Sequence, residues 1–179
     1  MSLAQKMKLQ DLKVKVKELS TPRWELLNKQ IDTAATTIQQ AILAYFTSKG
    51  FIITGQMPKV KAMYNGGLDT SIDFSNLKGN LFGCDGAIEL KYDGKEFVLY
   101  YLTSRGNAPE QGGFCGSKEE SMQNEINYYE EKLIPYLQSV GVSDLSGGMD
   151  LYSRTSNAVG RPITINYPSV EEALDSFID

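Results

Sequence analysis

The sequence predicts an α/β fold in which a central mixed β-sheet is flanked by helices, and three observations predict it. Apolar residues recur at helical spacing over 22–49 and again over 118–138. Between and after those stretches the period falls to two. The changes of period coincide with capping or turn residues. The 179 residues, 41% hydrophobic and 22% charged, are one domain's worth of chain with enough apolar matter for a sizeable core.

The first helix starts at Thr21-Pro22, an N-cap followed by proline at the first helical position. Trp24, Leu27, Ile31, Ala34, Ile38, Ile42 and Tyr45 then step by three and four, a stripe that reads as core. Lys49-Gly50 ends it, a cation in the last turn and a glycine stop. Phe51–Ile53, Lys59–Tyr64 and Thr70–Phe74 follow as short strands, the last two joined by the turn Asn65-Gly66-Gly67. Gly83–Tyr92 alternates, with Cys84, Gly86, Ile88, Leu90 and Tyr92 on one face and Asp85, Ala87, Glu89 and Lys91 on the other. Asp93-Gly94 is a hairpin turn. Glu96–Thr103 returns as a nearly all-apolar strand, which predicts burial on both of its faces.

A glycine-rich loop, Gly106–Gly116, leads to Ser117 and Glu120, a capping box for the second helix. Its stripe is Met122, Ile126, Tyr129, Leu133 and Leu137. Met149–Ser153 and Ile163–Tyr167 read as two more strands, and Ser169 with Glu172 opens a short terminal helix. The expected organisation is a basic N-terminal arm, 1–21, and a single α/β domain, 22–179.

Charge separates the arm from the rest. The net charge is −4, yet residues 1–20 carry five lysines against two carboxylates. Leu12–Lys17 alternates apolar and cationic residues, which predicts a strand. That strand reads either as a solvated edge, where lysines discourage pairing, or as an arm whose Lys13, Lys15 and Lys17 contact phosphates.

Composition excludes more than it proves. The chain has no histidine, so Ser-His-Asp and Cys-His catalysis and His-ligated zinc are out. No apolar run is long enough to span a membrane, and Lys6, Lys8 and Asp11 break up any signal-like start. Cys84 and Cys115 make neither a CxxC pair nor a zinc set, and reduced thiols in the cytoplasm are expected. No P-loop or dinucleotide fingerprint is present, although Gly112-Gly113-x-x-Gly116 before a helix has amides that suit an anion.

A long helix, a three-strand meander, a second helix and a further strand resemble the core of the restriction-endonuclease-like fold, the PD-(D/E)xK nuclease superfamily, over about residues 22–153. The segment FGCDGAIELKYDG puts Asp85 at the family's Asp position, and the end of KEFVLYYLTSRGN resembles its strand-to-helix segment. The motif is degenerate, because Tyr100 and Leu102 occupy the ExK positions. A literal Glu89-Leu90-Lys91 stands one strand earlier, and Asp73, sixteen residues before Glu89, offers a second registration.

The resemblance implies either of two activities. One is a Mg²⁺-dependent phosphodiester hydrolase with a relocated site: Asp73, Asp85 and Glu89 hold the ion, and Lys91 serves the attacking water or the transition-state charge. The other is a catalytically silent relative that binds DNA, with Arg105 as a phosphate clamp beside Lys13, Lys15 and Lys17. A non-enzymatic structural or inhibitory protein with a protein partner is the alternative, and the Lys13–Lys17 edge offers a contact for a second copy.

Overall fold

Residues 3 to 48 form one helix. In the computed structural model, which describes residues 2–79, 83–113 and 116–179, α1 runs Leu3–Ser48 without interruption. It contains the 12–17 segment expected as a strand and passes through Thr21-Pro22, expected as its start. A longer window explains the first difference. Leu9, Leu12, Val16, Leu19, Arg23 and Leu26 alternate steps of three and four, and all six are buried or half-buried. Lysine alternation over six residues is the weaker signal. Pro22 removes one helical amide, and Thr21 does not cap. Its hydroxyl instead donates to the Lys17 carbonyl, 2.8 Å away and one turn back.

The chain is organised as two compact units. One comprises Met1–Lys29 and Arg105–Ser146; the other comprises Gln30–Ser104 and Gly147–Asp179. The arm-to-domain boundary expected at residue 21 falls inside α1.

The second unit is built on a seven-stranded sheet in the order β1 to β7. The strands are β1 Ile52–Gln56, β2 Lys59–Tyr64, β3 Leu68–Asp73, β4 Gly86–Tyr92, β5 Lys95–Thr103, β6 Met149–Ser156 and β7 Pro162–Tyr167. Every neighbouring pair is antiparallel, which corrects the mixed sheet expected from the sequence. Connections of two to five residues explain it for β1–β2, β2–β3, β4–β5 and β6–β7, since parallel neighbours need a crossover of roughly a dozen residues or more, whereas β5 and β6 are antiparallel although residues 104–148 lie between them. The β4–β5 hairpin is as expected. Asp93 and Gly94 sit at φ 48° and 74°, the left-handed pair that a two-residue turn of primed type needs.

One face of this sheet is core. Val60, Ile72, Ile88, Leu90, Leu99 and Tyr101 share a cluster with Ala35, Ile38, Ile42 and Phe46 of α1. The terminal helix, Val170–Ile178, adds Ala173, Leu174 and Phe177 to it. Its N-terminus is capped by Ser169, whose hydroxyl accepts the Glu172 amide. The 118–138 helix expected to flank the sheet belongs to the other unit. On β5, Leu99, Tyr101 and Thr103 are buried, while Val98, Tyr100 and Leu102 are half-buried. Cys84 is buried. Cys115 lies outside the described residues, as does the pairing state of the two thiols.

The first unit joins the N-terminal part of α1 to α2 Lys118–Tyr128, a π-helical turn Tyr129–Leu133 and α3 Ile134–Ser139. The capping box is formed: the Ser117 hydroxyl accepts the Glu120 amide and the Glu120 carboxylate accepts the Ser117 amide. Proline explains the widened turn. Pro135 has no amide to give, its ring crowds the carbonyl four residues back, and Ile134 bonds Tyr129 O instead. Among the described residues, Leu9, Leu27, Ile126, Ile134, Leu137 and Leu145 are the buried apolar residues here. Among the described residues no helix is long and apolar enough to cross a membrane.

Candidate functional site

The residues expected to hold a metal are divided by the sheet. Asp85 precedes β4 and is 5% exposed. Its Oδ2 accepts the amide and the hydroxyl of Thr103, both at 2.7 Å. Glu89 lies four residues further along, about 13 Å at strand rise. Asp85 is thus buried at the start of β4, whereas Glu89 is exposed within it. Through Thr103, Asp85 ties the start of β4 to the end of β5.

Asp73 and Glu89 are brought together. They are register partners across β3 and β4, and Lys59 is the partner of Asp73 on β2. Val60, Ile72 and Leu90 point to the core, so alternation puts Lys59, Asp73, Glu89 and Lys91 on the opposite face. Glu89 and Lys91 are exposed. Lys91 pairs with Glu96 across the hairpin at 3.2 Å, in solvent. The Asp73 Oδ1 accepts the Ser75 amide at 2.8 Å. Hydrogen bonding from Ser75, with Lys59 alongside, holds the Asp73 carboxyl below its ordinary value. Among the described residues, no group of three or more His, Cys, Asp or Glu is placed to hold a metal ion.

The expected cationic residues fall in the first unit. At 100° per residue, Lys6, Lys13, Lys17 and Trp24 lie within about 40° of arc on α1, a line roughly 27 Å long. Lys15 lies well away from that line. Trp24, expected in the core, is 59% exposed. Beside it is a groove of about 420 Å³ whose walls include Lys13, Val16, Lys17, Ser20, Trp24 and Tyr129. Glu25 is the carboxylate among its walls. A second cavity, about 310 Å³, shares Ser20 and Trp24 and reaches Arg23, Leu27 and Arg105. The glycine-rich loop borders a third, about 460 Å³, with Gly112, Gly113, Asn124 and Lys132 in its lining.

Tyr129 is anchored in the first groove. Its hydroxyl donates to Glu125 Oε1 at 2.9 Å, and Lys13 Nζ lies 3.8 Å from the same oxygen. Burial, reinforced by Glu125, pushes the Tyr129 phenol up to about 12, so it stays a donor at any ordinary pH. Lys8, well away from that line like Lys15, pairs with Glu130 at 2.7 Å. No protein family, curated protein or solved structure matches this chain.

Sequence reasoning missed Trp24 as a surface residue. The signal was the seven-four-seven spacing of Lys6, Lys13, Lys17 and Trp24, which forms a line only if 1–29 is helical.

Proposed function

We propose that the chain binds nucleic acid through the cationic line of α1 and is catalytically silent at the position where PD-(D/E)xK nucleases carry their Asp. The observation that carries this is the alignment of Lys6, Lys13 and Lys17 on one exposed helix face ending at a groove. Lysines so placed neutralise phosphates and release counterions, which needs no particular base sequence. The antiparallel sheet and the Thr103-bound Asp85 both separate this chain from the catalytic arrangement the resemblance implies.

Binding to a labelled oligonucleotide should weaken with salt, with a log–log slope near −2 for single strands if about three phosphates are neutralised. The triple variant K6Q/K13Q/K17Q should flatten that slope. It should remain folded, because the exposed Lys13–Glu125 contact is worth about 1 kcal/mol at most. A wild type that binds no DNA at low salt would leave a protein-binding role for this face.

The Asp73–Glu89 register favours a second reading, Mg²⁺-dependent phosphodiester cleavage at Asp73, Glu89 and Lys91. Two carboxylates hold the ion, and Lys91 balances charge on the phosphate. Metal-dependent cleavage should then be abolished in D73N and fall by orders of magnitude in K91A. Wild-type cleavage in the absence of added metal and in chelator, or no cleavage at all, rejects this reading and leaves the silent one.

A further inference from the structure

We infer that the Trp24–Tyr129 groove takes an unpaired nucleobase, so that the chain prefers single-stranded nucleic acid over duplex. The inference rests on the proposed nucleic-acid reading and names the substrate class of that site. Three observations converge on it. Trp24 is the sole tryptophan of the chain and is 59% exposed, although a large apolar ring gains most from burial. The groove beside it is faced by a second aromatic, Tyr129, which the π-helical turn positions and Glu125 holds. Lys13 and Lys17 stand on the same walls.

These are the parts of a single-strand site. Ring faces stack on a base without regard to its identity, and adjacent ammonium groups track the phosphates. A duplex hides its base faces in the stack, so it can engage the lysines but not Trp24. Cations alone would favour the duplex, whose charge density is higher, so a preference for the single strand has to come from the exposed indole beside them. A wholly apolar groove would suit a protein helix, but here the apolar wall is continuous with the cationic line from Lys6 to Lys17.

The test uses the full chain, oligo(dT) and a duplex of equal length. Because Trp24 is the sole indole, its fluorescence reports stacking directly. Oligo(dT) should quench it saturably, and the duplex should not. Trp24→Ala should weaken oligo(dT) binding roughly 5- to 150-fold, while Trp24→Phe retains most of the affinity. Duplex binding should change by less than about twofold in either variant, since no base is stacked. Trp24 is exposed, so both variants should keep the fold, which helical circular dichroism checks. If duplex and oligo(dT) bind equally and Trp24→Ala changes neither, the single-strand inference is overturned while the nucleic-acid reading stands. If neither binds at low salt, both fall together.

Discussion

Asp144→Ala is expected to destabilise the helical unit by about 3–5 kcal/mol, the cost of leaving a mostly buried guanidinium without its partner. The Arg23 and Asp144 side chains are 11% and 13% exposed. Arg23 donates to both Asp144 carboxylate oxygens, to the Gly141 carbonyl at 3.0 Å and to the Arg105 carbonyl. It also lies over the Tyr136 ring, 5.5 Å from the centroid. Asp144 in turn accepts the Asn107 amide at 2.9 Å. One ion pair thus fastens α1 to the stretches on both sides of α2 and α3. Removing both charges should cost less than removing one, so R23M/D144L should recover part of the loss.

Acid should imitate the substitution. Hydrogen bonding from Arg23 holds the Asp144 carboxyl below its ordinary value. A carboxyl depressed in the folded state contributes stability fully above its unfolded value, near pH 4, and loses it as pH falls through the lower folded value. The wild type should therefore weaken in that acidic window, and Asp144→Ala should lack this component. Trp24 fluorescence during denaturant unfolding reads the right unit, because Trp24 adjoins Arg23 in the chain. A Asp144→Ala protein as stable as wild type near neutrality would show that the pair holds nothing together.

How far the sequence reached depended on whether a local pattern had a competitor. The β4–β5 hairpin had none: alternation up to Asp93-Gly94, the two-residue turn itself and the apolar run after it fix both strands and their register. The capped helices at Ser117 and Ser169 were equally plain, because a hydroxyl three residues before a glutamate satisfies a specific amide. Over 12–17 two periods competed, and the short one gave the wrong answer. Trp24 illustrates a different limit. It fits an apolar stripe, but a stripe says only which face is apolar and cannot say where a partner surface stops. Asp85 shows a third. A carboxylate that binds metal and one that accepts from Thr103, eighteen residues away, look alike until the register of β4 and β5 is known. The Asp73–Glu89 contact did lie within reach, since sixteen residues bridged by one turn-back bring antiparallel strands opposite each other.

Gly86→Ala is expected to destabilise the sheet unit by about 3 kcal/mol or more, although it adds a single methyl group. A Cβ at Gly86 would stand 2.0 Å from the Leu77 carbonyl oxygen and 2.6 Å from Tyr101 Cε1. The first contact is with backbone, so no rotamer change relieves it. Retreat of that backbone is opposed from two sides. The Tyr101 hydroxyl donates to the same Leu77 oxygen at 2.6 Å, and the Ala87 amide donates to Asn76 at 3.0 Å. Moving Leu77 away would strip a buried phenol of its acceptor, which itself costs about 1–3 kcal/mol. Tyr101 is fully buried in the core cluster, so its ring cannot swing out either. Gly67→Ala supplies the control: nothing lies within 4 Å of a Cβ there and its φ is not in the left-handed region. That change should be neutral or stabilise by up to about 1 kcal/mol through the unfolded state. Denaturant unfolding followed by far-ultraviolet circular dichroism compares the two variants. Equal midpoints for Gly86→Ala and Gly67→Ala would mean that the 76–77 segment does not lie across β4.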